Sequence, residues 1–244
     1  MHTQPADEEA LCSVVIIVRN GERFLNQAID SVIAQTYSRY EIIVVDGQST
    51  DNTEKIARSY PQVRYVRQTG LGVADAYNTG IDAARGEFIA FLSHDDLWAP
   101  SKLAAQVGFL LEHPEIQCCV SALKMFLQPG CGVPPGFKAE LLEGEHVVRL
   151  MENLVARRSV FDFAGKLDPA FSPADDTEWY ARATDKGVSM AVVSEVLLYK
   201  RIHDKNTSLA DAERNNRLLL WILRESIRRK HSLRSSGQES KQCS

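Results

Sequence analysis

The stretch Gly86–Trp98, GEFIAFLSHDDLW, decides how this chain folds. Phe88 to Ser93 carries no charge and reads as a strand buried on both faces, and two carboxylates, Asp95 and Asp96, then stand side by side beyond its carboxyl end. Adjacent like charges at the mouth of a buried strand contribute nothing to stability, so something must neutralise them. Outward from this strand the same pattern recurs. Apolar runs at Val14–Val18, Ile42–Val45 and Val63–Val66 alternate with helical periodicity. Phe24/Leu25, Ala28/Ile29 and Val32/Ile33 share one helical face; Ala74, Tyr77, Ile81 and Ala84 share another, opposite Asp75, Asn78 and Asp82. Pro100 opens a helix carrying Leu103, Val107, Leu110 and Leu111. Asp51-Asn-Thr-Glu54 predicts a reciprocal cap on a helix running to Tyr60. Strands that are apolar throughout, alternating with helices, predict an α/β fold with a Rossmann-like, mostly parallel central sheet flanked by helices.

The second half is less regular. Cys118–Leu127 predicts a further strand, after which QPGCGVPPG (128–136) places three prolines and three glycines in a loop. This loop divides a donor-side half, 11–127, from a mixed acceptor-side half, 137–208, of the same domain. The latter is expected to hold helices at Glu145–Val155 and Thr177–Thr184 and a strand at Val188–Leu198. A basic amphipathic helix over 209–234 and a polar, disordered tail over 235–244 complete the expectation.

The chain has 244 residues and a formal net charge of −4, which suits one large soluble domain and gives no support to a nucleic-acid partner. Five cysteines, at 12, 118, 119, 131 and 243, form no C-x-x-C pair, which argues against a zinc site or a disulfide framework and fits a reducing compartment. The start, MHTQPADEEA, is polar and acidic, unlike a signal peptide, and the longest apolar run near the end is Leu218–Leu223, short of a membrane span. A cytoplasmic location is expected.

In open parallel sheets ligands bind at the carboxyl ends of the strands. That rule selects Arg19-Asn20-Gly21, Asp46-Gly47-Gln48 and Ser93-His94-Asp95-Asp96. Carboxylates gathered there are natural ligands of Mg²⁺ or Mn²⁺, which bridge diphosphate oxygens, so a divalent cation is the expected neutraliser of Asp95 and Asp96. Gly70-Leu-Gly72-Val-Ala-Asp75 nearly matches a dinucleotide fingerprint but follows the third strand and has Asp75 at the third glycine, so it reads as a tight turn feeding a helix. Asp46 follows four apolar residues, where an uncompensated carboxylate is costly, and is read as functional; Asp51 is read as a cap. Asp175, Asp176 and Glu178 also suit the first turn of a helix.

Several motifs in order carry a resemblance: SVVIIVRNGERFLNQAIDSVIAQTY, YEIIVVDGQSTDNT, GVADAYNTGIDAARGEFIAFLSHDD, GKLDPAFSPADDTEWYARA and YKRIHDKNTS. From about Cys12 to Ser208 the chain resembles the inverting nucleotide-sugar glycosyltransferases of family 2, with the GT-A fold. The resemblance implies that Asp46 and the loop Val18, Arg19 and Asn20 line the nucleotide-base pocket. It implies that Asp95 and Asp96 form the metal-and-ribose motif, with Asp96 the direct ligand. Asp75 and Asn78 share a helical face that is either near the donor site or plain exposed helix surface. Asp176 matches the catalytic base, and Arg201 and His203 match a late element that closes near the diphosphate. Ser93 stands where the family often has another Asp, and Asp175 replaces a more usual Glu.

The implied reaction is a metal-assisted transfer from a nucleoside-diphosphate sugar, UDP-linked by default, to a hydroxyl of a glycan or lipid-linked glycan, in polysaccharide or glycoconjugate biosynthesis. Two other readings compete: a catalytically inactive nucleotide-sugar-binding module, and a sugar nucleotidyltransferase, for which RNGERF is a poor phosphate loop. Residues 214–234, RNNRLLLWILRESIRRKHSLR, carry seven arginines or lysines and one acid, Glu225. They suit either a docked helix with a solvated basic flank or peripheral contact with an anionic membrane.

Overall fold

The computed structural model describes residues 10–204, 206 and 217–230. Strands β1 (Cys12–Val18), β2 (Tyr40–Asp46), β3 (Val63–Arg67) and β4 (Phe88–Ser93) alternate with helices α1 (Leu25–Ile33), α2 (Thr53–Arg58) and α3 (Val73–Ala83). A short strand β5 (Leu97–Trp98), helix α4 (Lys102–Glu112) and strand β6 (Cys118–Leu127) follow. Then come β7 (Leu154–Arg157), α5 (Ser159–Ala164), α6 (Asp175–Asp185) and β8 (Met190–Ile202), and a helix α7 over 217–230.

All eight strands form one sheet, ordered β3-β2-β1-β4-β7-β6-β8-β5. The first four are mutually parallel, β7 is antiparallel to both neighbours, and β8 runs parallel to β6. The expected α/β sheet with a mixed second half is therefore present. Strand order reverses at β1, whose neighbours are β2 and β4. The pairings Val18↔Asp46 and Ile17↔Ser93 bring the carboxyl ends of these three strands level. This is the crevice that the topology of open sheets assigns to ligands.

Alternate residues of the central strands feed two apolar layers. Val15, Ile17, Ile43, Val45, Ile89 and Phe91 pack with α3, α5 and α6; Val14, Ile16, Ile42, Val44, Phe88, Ala90 and Leu92 pack with α1 and α4. Helix α3 lies so close to the sheet that a Cβ on Gly80 would stand 2.2 Å from Val15 Cγ1, and only glycine permits that approach. The second half is joined to α3 by a two-way bond: Asn78 donates to the Leu167 carbonyl at 2.8 Å and accepts from its N–H at 3.0 Å.

Three expectations are corrected. Glu145–Val155 is not a helix: His146 pairs with Leu123 as an isolated antiparallel bridge, Met151–Asn153 form one 3₁₀ turn, and Leu154 already belongs to β7. The run Leu154–Ala156 is buried in the middle of the sheet, where a short all-apolar segment serves as a strand, and Asn153 pins its entry by donating to the Ser121 and Val148 carbonyls. The reciprocal cap on α2 does not form. Asp51 does accept from Thr53 N at 3.0 Å, but Glu54 pairs with Arg58 at 2.8 Å instead of reaching back. Strand β8 starts two residues later than expected and continues four residues past Leu198, which places Lys200 and Arg201 in the sheet. Of the helix expected over 209–234, residues 217–230 are helical; the rest of it and the 235–244 tail lie outside the described residues.

Lys102 is fully buried where α4 meets the second half. Its ammonium donates to Gln106 Oε1 and, at 3.3 Å, to the Asn153 carbonyl, and lies 5.0 Å from the centre of the Trp98 ring. Burial pushes its pKa down to about 7, against a small upward pull from Cys119 and Cys12. Below that value the folded and unfolded chains carry the same proton. Between about 7 and the unbound value of 10.5 only the unfolded chain does, so stability rises with pH through this window. Relative to Lys102→Met, the parent is expected to gain about 1 kcal/mol per pH unit between pH 7 and pH 9 in urea denaturation. A stability difference that stays flat across those pH values would contradict the assignment.

Candidate functional site

The lip of the crevice is built from the turns after β1 and β2, which bond to each other. Gly47 N donates to the Val18 carbonyl at 2.7 Å, Asn20 N to Ser49 Oγ at 2.8 Å, and Thr50 N to Asn20 Oδ1 at 2.9 Å. Asn20 and Gln48 both have positive φ, 52° and 63°, the tight conformation that lets two strand ends turn outward together. Val18 is buried, while Arg19 and Asn20 are exposed on the rim. Asp46 is buried beneath them: Oδ1 accepts from Ser49 N and Oγ at 2.9 and 2.6 Å, and Oδ2 accepts from the Tyr65 hydroxyl at 2.6 Å. Its charge is thus held by three protein donors, and it shapes the turn that presents the rim.

On the first turn of α3, Asp75 is half-buried and its Oδ2 has no hydrogen-bond partner among the described residues. The glycine turn before it behaves as a tight turn, with Gly72 at φ 90° leading into α3. Asn78, one turn further on, is engaged by Leu167 and brackets the two halves.

The acidic pair lies beyond β4 and is met from β8. Lys200 Nζ stands 3.1 Å from Asp96 Oδ2, and Arg201 N donates to Asp96 Oδ1 at 2.9 Å. His203 Nε2 stands 3.0 Å from Asp95 Oδ2. The Arg201 side chain donates to the Asp95 carbonyl at 2.7 Å, to Gln27 Oε1 at 2.8 Å and to Gln128 Oε1, with its guanidinium 4.5 Å from the centre of the Phe24 ring. Every branch of Arg201 is therefore spent on bracing the loop that carries the acids. The two aspartates divide the charge. Burial raises the Asp95 carboxyl, but the bond to His203 and the charges of His94 and Lys200 outweigh it and hold it well below the usual range. Burial pushes Asp96 up to about 7, against Lys200 and with Asp95 and Glu152. The Asp96 side chain is 1% exposed and has protein partners on both oxygens, whereas that of Asp95 is 14% exposed.

Glu152 borders this cluster and acts on α6 through its charge. It accepts from Ser93 Oγ at 2.9 Å and lies 3.7 Å from Lys200. Asp176, half-buried on the first turn of α6, accepts from Thr177 N at 2.6 Å. Burial first, and then the charges of Glu152 and Asp175, push its pKa up to about 7. Asp175 beside it is buried, with Oδ2 lacking a partner among the described residues, and burial pushes it up to about 6. A raised carboxylate in a crevice has the proton affinity that a general base needs near neutrality.

Sequence reasoning missed Lys200 and Glu152. Lys200 lies in YKRIH and reads as an exposed strand end; Glu152 lies in the segment misread as a helix. Among the described residues no group of three or more His, Cys, Asp or Glu is placed to hold a metal ion. The donor set that does converge is one carboxylate and one imidazole, Asp95 and His203, both of types that Mn²⁺ accepts while it keeps other positions for water or phosphate oxygens.

The description "Glycosyl transferase family 2" belongs to the family profile that matches residues 13–129. An uncharacterized glycosyltransferase of Rickettsia typhi is 45% identical over 101 residues, which cover 41% of this chain and 32% of that protein. One of Rickettsia felis is 44% identical over 103 residues, 41% of this chain and 17% of that protein. The matched region is thus a third or less of these relatives' length. Among solved structures, Staphylococcus aureus TarS 1-349 in complex with UDP-GlcNAc is similar with a TM-score of 0.67 at 21% identity, over 86% of this chain and 65% of that one. The mannosyltransferase PcManGT from Pyrobaculum calidifontis, in complex with GDP-Man and Mn²⁺, is similar with a TM-score of 0.66 at 22% identity, over 93% and 68%. These likenesses establish the GT-A type of fold. Residues 13–129, which carry β4 and the acidic pair, thus resemble glycosyl transferase family 2.

Proposed function

We propose that this protein transfers a sugar from a nucleoside-diphosphate sugar to an acceptor hydroxyl, with inversion at the anomeric carbon and with a divalent cation, in polysaccharide or glycoconjugate assembly. The observation that carries the reading is the meeting of Asp95, His203 and Lys200 at the strand ends, with Glu152 joining them to the raised carboxyl of Asp176. The nucleotide-sugars held by similar folds, UDP-GlcNAc in TarS and GDP-Man in PcManGT, support a donor of this class, and UDP is the default nucleotide.

In this reading Val18, Arg19 and Asn20, shaped by Asp46, face the base. Asp75 offers an unsatisfied acceptor to a donor hydroxyl or N–H. Asp95 with His203 is assigned the cation, in place of Asp96, because Asp96 is sealed by Lys200 and Arg201 N. Asp95 and His203 would hold a Mn²⁺ or Mg²⁺ ion, which would supply positive charge to the leaving diphosphate. Lys200 adds a fixed cation to the same end of the sheet, and Arg201 and Asn78 keep the walls in place. Asp176 accepts the proton of the acceptor hydroxyl as its oxygen bonds to the anomeric carbon, while the carbon–diphosphate bond breaks on the opposite face.

Asp176→Asn is expected to lower kcat by about 10²–10⁴-fold while leaving the affinity for a nucleoside diphosphate within about twofold. Unchanged transfer by this variant would remove Asp176 as the base. Binding of donor without transfer by the parent would make the protein a binding module instead.

Because only the ionised form of Asp176 accepts a proton, kcat/KM is expected to rise through an acid limb near pH 7. Glu152→Gln, which removes a neighbouring negative charge, is expected to move that limb to lower pH. A limb near pH 4 that Glu152→Gln leaves in place would contradict the tuning. In calorimetry with UDP, or with GDP where that binds more tightly, Asp95→Asn is expected to lose the Mn²⁺-dependent part of the affinity, about tenfold or more. Equal affinity of the parent with and without Mn²⁺ would contradict the cation assignment.

A further inference from the structure

Helix α7 presents three distinct surfaces. Its inner face is fixed to the protein: Leu218 and Ile222 are buried against Phe171 and Ala174, and Trp221 stacks on Phe171 at 4.2 Å. Ser226 donates to Asp185 at 2.9 Å and Arg229 Nε to the same carboxylate at 3.0 Å, with Lys230 3.4 Å away. At about 100° per residue, Leu219, Leu223, Ile227 and Leu220 then fall in one outward sector roughly 100° wide. They are 47%, 57%, 49% and 59% exposed. Arg217, Arg224 and Arg228, all exposed, form an adjoining sector. The acid on this helix, Glu225, is half-buried and paired with Arg228 at 3.0 Å.

A helix that had only to cover the core would carry polar residues on its outward side. Here the outward side is an aliphatic stripe edged by arginines, on a chain whose net charge is −4. We propose that this face binds an anionic lipid bilayer, with the stripe at the acyl boundary and the arginines at the lipid phosphates. The charge pattern selects this occupant. An anionic surface answers the arginine edge, whereas two copies packed antiparallel through the stripe would bring their arginine edges together. Among the described residues no helix is long and apolar enough to cross a membrane, so the contact is one of lying on the surface.

The placement gives the contact a use. Phe171 and Ala174, on which α7 sits, lie within the four residues before Asp175 and Asp176. A bilayer held by α7 therefore adjoins the acceptor side, and the acceptor class it favours is a hydroxyl carried at a lipid surface. That last step rests on the role proposed for Asp176; the bilayer contact does not, and vesicle binding tests it without any transfer reaction.

The test is flotation of the full chain with vesicles of phosphatidylglycerol and phosphatidylcholine, and with vesicles of phosphatidylcholine alone. Two variants accompany it: Leu220→Ser/Leu223→Ser/Ile227→Ser for the stripe and Arg217→Gln/Arg224→Gln/Arg228→Gln for the edge. All six positions face outward, and thermal melts check that both variants keep the parent fold. The parent is expected to float with the anionic vesicles, about tenfold or more less with the neutral ones, and each variant is expected to lose binding by about tenfold or more. Absence of flotation, equal flotation with neutral vesicles, or full binding by the stripe variant would overturn the proposal. So would sedimentation velocity showing a dimer that the stripe variant dissolves, in a protein that binds no vesicles.

Discussion

Lys200 reaches Asp96 at 3.1 Å from a strand more than a hundred residues further along the chain, and much of the molecule depends on that contact. Two neighbouring carboxylates beyond the end of a buried strand repel each other and have lost most of their water. Strand β8 answers with Lys200 and the Arg201 N–H at Asp96, and with His203 at Asp95. Removing one member of a buried pair typically costs about 3–5 kcal/mol, because the other is left uncompensated. The late strand is therefore bound to the early one by charge as well as by the sheet, through Arg201 gripping the Asp95 carbonyl, Gln27 and Gln128.

The same contact separates the two aspartates chemically. Asp96, sealed and partnered, sets the position of the loop. Asp95, the ionised and more open of the two, pairs with His203. Through Glu152 the influence extends to α6, where burial and two neighbouring acids raise the proton affinity of Asp176. Charge placed to hold the fold thereby also sets the working range of the proposed base.

Much of this was legible before any coordinates. The strands β1 to β4 could be read because each is a short apolar run ended by turn residues, and the burial of Val14–Val18 and Ile42–Val45 follows from that pattern. The acidic pair drew notice because like charges side by side need a reason. What could not be read were the long-range answers. The order β4-β7-β6-β8 inserts a strand from the second half beside β4, and nothing within Leu154–Arg157 announces its partners. Glu152 was lost with it, since a residue placed on a false helix points nowhere useful. Lys200 was lost because a lysine at a strand end is ordinarily solvated, and it is the β5–β8 pairing that brings this one within 3.1 Å of Asp96. The bracing contacts of Asn78 and Arg201 were equally illegible, since they depend on Leu167, Gln27 and Gln128 standing beside them.

The account stands on Asp95 and His203 as the place where cation and diphosphate meet. Anomalous diffraction at the manganese edge, from crystals grown with Mn²⁺ and a nucleoside diphosphate, addresses it directly. The account predicts one strong peak at the carboxyl end of β4, in coordinating contact with Asp95 Oδ2 and His203 Nε2 and with the diphosphate on its open side. A diphosphate bound elsewhere, or bound at this crevice with Asp95 and His203 still paired to each other and no anomalous peak between them, would contradict it.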